Sequence, residues 1–519
     1  MTSGLHWIDG LILAAYASSM VYLGWWYSRG QKTTDEYFVG NRAMNPVLIG
    51  ISLFATLFST ISYLTSPGEV LRHGPVVPLI GILTIPFYYY LVGHLMAPVY
   101  MRHRGTSAYA LLETQLGLTA RLMGASMFVL LRLIWMSVLI YMACKALLVM
   151  LAWDDSWLPF VALATGGIAI FYASLGGLRA VVITDTFQFS LLFGGAWLVI
   201  GMVSWEVGGF DWFPRKWNPS WDTQPLYAFN FTERVTVFGS VLNGILWWVC
   251  TAGGDQTAIQ RFMATGSALS ARRSFLINSI AGGGVSVVLT LVGFALLFYY
   301  QTDSTRLPGG KTIVENADEL FPYFISHHLP AGLSGLVLAG MFAAAMSSVD
   351  SGINSISAVV TSDFVDRFRS APLGERARVT FARILAASIG LVVVTTSSVV
   401  IDLIPGNFLE MTYRTFGLLV TPMFLLFVFA LFIPQGNQWG AIVGSLTGFS
   451  TAFIISYWNI FTGWPALSFQ WIMPASLLSG CLVGFAVSLL TGGRRPAVDA
   501  TTPAAESDDS PVCDQSPAD

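Results

Sequence analysis

Long apolar runs separated by short polar punctuation recur along almost the whole chain. A hydrocarbon core about 30 Å thick takes roughly 20 apolar residues per helix. The pattern predicts about thirteen such helices, near residues 6–27, 46–75, 78–101, 122–152, 157–176, 180–206, 234–262, 274–300, 332–363, 380–402, 406–433, 438–460 and 468–491. The chain therefore reads as an all-α polytopic membrane protein. Its first run is a retained helix rather than a cleaved leader, because Trp7-Ile8-Asp9 precede it and no basic stretch or small-residue cleavage site frames it.

Composition agrees with that pattern. The 519 residues are 54% hydrophobic and 11% charged, with a mean hydropathy of +0.65, whereas soluble domains carry about 25% charged residues. Basic residues concentrate in alternate loops, as at Arg29, Lys32 and Arg42, at Arg102, Arg104 and Arg121, and at Arg367, Arg369, Arg376, Arg378 and Arg383. The opposite loops hold only Arg72, Arg215, Lys216, Arg234, Arg306 and Lys311. The positive-inside rule then puts the N-terminus outside and the C-terminus in the cytoplasm of a plasma (inner) membrane. Beyond Arg495 the chain is rich in Pro, Ala, Ser and Asp, so a transmembrane domain over 1–492 precedes a disordered tail over 493–519.

Several function classes lose support on the same evidence. A net charge of −3 without a basic domain gives no reason to expect nucleic acid. Cys144, Cys250, Cys481 and Cys513 lack CxxC spacing, so neither a disulfide framework nor a zinc site is expected. Gly309-Gly310-Lys311-Thr312 echoes a phosphate loop without its first glycine, which disfavours a nucleotide-driven pump. His327-His328 has no third ligand at metal spacing. Asn230-Phe231-Thr232 is a glycosylation sequon in an outer loop. No catalytic residue is expected, and oligomeric state is not legible.

Two spans carry internal breaks. In the second, Ser59-Thr60-Ile61-Ser62-Tyr63 leads into Thr65-Ser66-Pro67-Gly68-Glu69; in the seventh, Thr251-Ala252-Gly253-Gly254-Asp255-Gln256 follows Trp247-Trp248. Unpaired backbone at membrane depth is tolerated only where protein buries it or where it lines a cavity. Spans two to six and seven to eleven then form two five-helix repeats, about 46–206 and 234–433, and an odd repeat length inverts the second copy. Discontinuous helices in inverted repeats hold substrate and ions near the midplane.

The ninth span offers the ion chemistry. Ala344, Ser347, Ser348 and Ser351 stand at i, i+3, i+4 and i+7 on one helical face, with Asp350 beside it. Hard cations take oxygen ligands, which serine hydroxyls and carbonyls of a broken helix supply. The same small residues also serve close helix packing, and spacing alone leaves both readings open.

These residues carry a resemblance. Ser347-Ser348 through Asn354 resembles the eighth core helix of the sodium:solute symporter family. Gly176-Gly177-Leu178-Arg179-Ala180-Val181 with Thr184-Asp185 and Gln188 resembles its fifth, and Asp255-Gln256 with Gln260-Arg261 its sixth. Leu53-Phe54-Ala55-Thr56 through Ser59, with Pro67, Glu69 and Gly74, looks like the first core helix of the iodide, multivitamin and monocarboxylate branch. The resemblance covers roughly residues 5–460. It implies a LeuT-like 5+5 inverted repeat with one extra N-terminal and two C-terminal helices. It also implies a Na⁺ site of main-chain carbonyls from Ala55, Phe58 and Ala344 and hydroxyls from Ser347 and Ser348. A second cation site of some relatives maps onto Asp185, Ser347, position 350 and Ser351. Asp350 departs from the small or hydroxyl residue expected there, and the sequence leaves it either as a direct cation ligand or as a titratable carboxylate that carries a proton. Asp185 also reads as an interfacial residue facing water, being six residues from Arg179.

The substrate is less legible. Ile61 and Ser62 stand where sugar-binding relatives place an acidic residue and a glutamine, which disfavours a sugar. Arg132 lies about 16 Å into the fourth span by helical rise, where a charge is functional by default. It either pairs with a carboxylate substrate or partners an aspartate or backbone structurally. Tyr141 matches an aromatic of the anion branch, and Ser59, Ser62, Tyr63, Trp248 and Gln256 flank the breaks, which makes all of them candidates for the cavity. Lys145 is expected to snorkel outward, and Arg414 to pair with Glu410. The reading is a Na⁺-coupled symporter importing a small anion or carboxylate by alternating access. A neutral-solute symporter, and a non-transporting sensor or channel on the same fold, are the alternatives.

Overall fold

The computed structural model describes residues 5–29, 33–102, 105–223, 225, 230–308, 312–371, 374–399 and 408–492. The expected tail at 493–519, most of the phosphate-loop echo and the side chain of Glu410 lie outside them. Among the described residues there is helix and no strand.

The principal elements are α1 (Trp7–Ser28), α2 (Pro46–Leu57), α3 (Thr60–Arg72), α4 (Val76–Tyr89), α5 (Ala110–Leu116), α6 (Leu118–Leu151), α7 (Leu158–Val207), α8 (Val237–Gly254), α9 (Gln256–Met263), α10 (Ala268–Thr302), α11 (Ala317–His327), α12 (Leu333–Val359), α13 (Glu375–Val399), α14 (Phe408–Leu431), α15 (Gln438–Ser456) and α16 (Ile472–Leu490). Among the described residues eleven helical segments are long and apolar enough to cross a membrane, and α2 with α3, bent by 64°, makes twelve. The remaining expected crossing comes from α7. Its 50 residues would measure about 75 Å as one helix, far more than a bilayer core. They are interrupted at Gly177, where φ is 58° and ψ is −173°, a conformation open to glycine but strained for any residue with a Cβ. The two halves correspond to the runs expected at 157–176 and 180–206.

Each broken span has one extended residue or two at its centre. Phe58 (φ −95°, ψ 116°) and Ser59 (φ −114°, ψ 174°) separate α2 from α3, and Asp255 (φ −90°, ψ 122°) separates α8 from α9. Helix α12 packs against α7, α6, α1 and α2 and is buried almost end to end. A helix enclosed on all sides by protein can carry hydroxyls and a carboxylate that lipid would exclude. At the C-terminal end α15 and α16 approach so closely that a Cβ on Gly444 would stand 2.6 Å from the Gly480 carbonyl.

The extra first helix is fastened by one carboxylate. Asp9 Oδ2 accepts from the His6 N–H at 2.8 Å and closes a capping box on α1. Its Oδ1 accepts from the Gly332 and Gly335 N–H groups, at 2.7 and 2.8 Å, at the start of α12. Gly332 has no side chain with which to cap α12, so Asp9 does it from 323 residues away. Losing one side-chain N-cap costs roughly 0.5–2 kcal/mol, and Asp9 caps two helices. Asp9→Ala should therefore lower the thermal unfolding midpoint of the purified protein by several degrees, with Asp9→Asn recovering part of the loss; an unchanged midpoint in the alanine variant would show that α12 does not need this cap.

Candidate functional site

At the end of α2 the helix stops donating to its own carbonyls. The Phe58 N–H reaches Phe54 at 2.7 Å, and beyond it the extended residues leave the Ala55 and Thr56 carbonyls without helical partners. Helix α12 supplies them: Ser347 Oγ donates to the Ala55 carbonyl at 2.6 Å and Ser348 Oγ to the Thr56 carbonyl at 2.9 Å. Both hydroxyls also lie near the Ala344 carbonyl, at 3.3 and 3.5 Å. Ala55, Ala344, Ser347 and Ser348 are thus brought together as the sequence led one to expect. Thr56 joins them unforeseen, and Phe58 marks the helix end. The result is a buried cluster of convergent oxygens, the donor set a hard monovalent cation takes.

One turn further along α12 lies a second polar cluster. Ser351 Oγ contacts Thr56 Oγ1 at 2.8 Å, accepts from Arg261 Nη2 at 2.5 Å and donates to Asp350 Oδ1 at 3.2 Å. Asp185 Oδ2 accepts from Ser52 Oγ at 2.5 Å and from Arg261 Nη2 at 3.3 Å. Asp185 is fully buried, so its reading as a water-facing interfacial residue does not hold. Asp185 pairs directly with Arg261 and Asp350 reaches the same guanidinium through Ser351, while Asp185 Oδ1 and Asp350 Oδ2 have no hydrogen-bond partner. Two carboxyl groups thus stand beside one guanidinium in a region where ionised groups must be paired.

Beside the first break a cavity of about 180 Å³ extends from Phe58, Ile61 and Ser62 along α3 to Glu69, walled by Trp135, Trp247, Trp248, Tyr88 and Tyr413. Of the expected substrate residues, Ser62 and Trp248 line it. Ser59 and Tyr63 are buried with hydroxyls that lack partners, and Tyr63 packs on Phe321 at 5.3 Å. Tyr141 lies under Lys145, whose Nζ is 5.9 Å from its ring and pairs with Asp155 at 2.5 Å. Gln256 bonds the Ala108 N–H and the Thr106 carbonyl, each at 2.7 Å. Arg132 is paired with Asp255, the structural partnership that the sequence had held open, and it does not border the cavity. The sequence reading missed Trp135, Tyr88 and Tyr413, whose only signal is an aromatic in an apolar run, indistinguishable from packing.

The two ends of this region differ. Near Glu69 an ion pair with Arg234, at 2.8 and 2.9 Å, borders the cavity. At the other end, Arg121 binds Asp363 at 2.8 Å, Glu113 at 2.5 Å and the Ser362 carbonyl at 3.0 Å. There Ser107 adds a hydrogen bond to Asp363 at 2.5 Å, and Arg367 a second cation on Glu113 at 2.9 Å. Asp363 sits in the π-helical turn Val360–Val365 that continues α12. Hydrogen bonds from Arg121 and then Arg367 hold the Glu113 carboxyl below the usual carboxylate range. A depressed carboxyl contributes stability above its unfolded value near 4.3, lost as pH falls through the folded value, so this closure is intact at neutral pH.

The profile of the sodium:solute symporter family matches residues 37–448. The chain is 29% identical over 457 residues to sodium-coupled monocarboxylate transporter 1 of Mus musculus, a match that covers 86% of this chain and 71% of that protein. It is 28% identical over 459 residues to the sodium/sialic acid symporter of Proteus mirabilis, covering 84% and 87%. Among solved structures, a substrate-bound, outward-open Na⁺-coupled sialic acid symporter superposes with a TM-score of 0.78 at 24% identity, covering 93% of this chain and 98% of that one.

Neutralising Glu113 removes the carboxylate that bridges Arg121 and Arg367. In Glu113→Gln, a cysteine placed at buried Thr361 should react with a soluble maleimide roughly tenfold faster in solubilised protein, tenfold being ~1.4 kcal/mol of closure. An unchanged rate would show that Glu113 does not hold this end shut.

Proposed function

Because the chain belongs to the sodium:solute symporter family, whose members couple solute entry to sodium, we propose that it imports a small organic carboxylate with Na⁺ by alternating access. The observation that carries the reading is the oxygen cluster at Ala55, Thr56, Ala344, Ser347 and Ser348 beside the aromatic cavity. Na⁺ there takes carbonyls from Ala55, Phe58 and Ala344 and hydroxyls from Ser347 and Ser348, bridging α2 to α12. It couples to transport only through unequal affinity for the two carrier states.

Three features support a small anion. The cavity, at about 180 Å³, falls below the ~300–1,000 Å³ of sites for drug-sized ligands. Helix α3 begins at the break with no side-chain cap, so its free amides and positive dipole end offer a carboxylate a seat. Ser59 and Ser62, at that end, add hydroxyls, and Trp248 stands in the cavity wall, while Tyr63, Tyr141 and Gln256 lie outside that wall. The monocarboxylate transporters among its relatives agree with that chemistry. A second monovalent cation at Asp185, Asp350 and Ser351 is supported by two carboxyl groups standing beside one guanidinium and by their partnerless oxygens.

The charge pattern of the loops supports an outer N-terminus and a cytoplasmic C-terminus, with one transport domain over 1–492. The cavity then faces outward and the Arg121 network closes the cytoplasmic side. Proteoliposomes should accumulate labelled propionate, and not glucose, only under an inward Na⁺ gradient. Ser347→Ala with Ser348→Ala should raise the Na⁺ half-saturation more than tenfold with protein still in the membrane. Gradient-independent uptake would refute the coupling, and an unchanged Na⁺ requirement would remove the serines from the site.

A further inference from the structure

Arg132 and Asp255 form a buried ion pair that the outer cavity leaves unused. Trp135, in the cavity wall, stands three residues along α6 from Arg132, about 4.5 Å by helical rise. Trp248 stands seven residues before Asp255, about 10 Å. The pair therefore lies under the aromatic floor.

Polar atoms around it are left without partners: Arg132 Nε, Thr251 Oγ1 one turn before Asp255, and Thr257 Oγ1 two residues after it. All three can donate a hydrogen bond, and a buried donor without an acceptor is costly. The Thr257 N–H also donates to Asp255 Oδ1 at 2.8 Å, so unpartnered donors close to Asp255 along the chain suit an acceptor that arrives in another state of the carrier. Arg121 lies eleven residues before Arg132, about three helical turns, so the two guanidiniums share one face of α6 some 16 Å apart. Each is covered by carboxylates from other elements, Asp255 for Arg132 and Asp363 with Glu113 for Arg121. Asp255 is itself the extended residue between α8 and α9, so a shift of α9 against α8 draws it off Arg132.

We propose that Arg132, with Thr251 and Thr257, forms a second, inner station for the solute's carboxylate, masked by Asp255 in this structure and exposed as the cytoplasmic half opens. The station rests on the reading that the solute is a carboxylate. A guanidinium and a carboxylate make paired, charge-assisted hydrogen bonds, so the solute replaces Asp255 with like chemistry, and the buried arginine keeps a partner throughout the exchange.

The test measures Na⁺-dependent propionate transport in right-side-out and inside-out membrane vesicles for wild type, Arg132→Gln, Arg132→Lys, Asp255→Asn and the double variant Arg132→Gln/Asp255→Asn. The glutamine variant should raise the cytoplasmic-side half-saturation at least tenfold while changing the outer-side value less than twofold, and lysine should restore it to within threefold. Asp255→Asn, which removes the competing carboxylate, should lower the cytoplasmic-side value. The double variant keeps the buried charge balanced, so it separates loss of the station from loss of folding, and should retain the cytoplasmic-side defect. Equal shifts on both sides, or an unchanged cytoplasmic value, would overturn the station alone. Absence of sodium-driven propionate uptake in the wild type would overturn the carboxylate reading and the station with it.

Discussion

A backbone carbonyl released from its helix inside a membrane must find another partner, because no water is there to take it. The molecule is arranged around that requirement. The Ala55 and Thr56 carbonyls, freed where α2 gives way to α3, are met by Ser347 and Ser348, which demands that α12 run past the break with its hydroxyl face turned inward. That position in turn requires α12 to be wrapped by α1, α6, α7 and α2, so the extra first helix serves the enclosure of the site. The hydroxyls satisfy the carbonyls through hydrogen bonds, so the break is stable without an ion, and in the proposed reading an incoming cation replaces those bonds.

Charge follows the same logic at greater expense. Arg132, Arg261 and Arg121 each reach a carboxylate on another element, and Asp185, Asp255 and Asp363 are fully buried beside them. Such pairs add little net stability over apolar packing, while breaking one leaves a buried charge uncompensated, at roughly 3–5 kcal/mol. A helix that moves away from such a pair must therefore leave the buried charge another partner. The exception is Asp350, which reaches Arg261 through Ser351 rather than directly.

The sequence displayed the crossings because membrane thickness imposes a length on every helix, and it displayed the breaks because Ser59-Thr60 and Gly253-Gly254-Asp255 interrupt apolar runs at depth, whereas Pro67 and Gly68 lie inside α3. Ser347 and Ser348 were legible as a face because helical periodicity is local. Arg132 was legible as unusual but not as Asp255's partner, since 123 positions separate the two and no spacing rule relates residues on different helices. The cavity wall was least visible. Trp135, Tyr88 and Tyr413 are aromatic residues in apolar segments, and whether such a ring faces a void or a neighbouring side chain depends on helix rotation that one sequence does not encode. Thr56 was hidden because its contribution is a carbonyl, which every residue has.

The tie between Asp9 and the start of α12 has a consequence for biosynthesis. A chain made at about 5–20 residues per second needs on the order of 20–60 s to add the 323 residues between Asp9 and Gly332. Throughout that interval the first helix is in the bilayer with an acidic group that has its own-turn partner, the His6 N–H, but not yet the Gly332 and Gly335 N–H groups. It must wait at the headgroup boundary, where the carboxylate stays hydrated, and dock only when the second repeat has entered. The contact between α1 and the start of α12 thus closes only once the second repeat has entered, although α1 can pack on α7 before then.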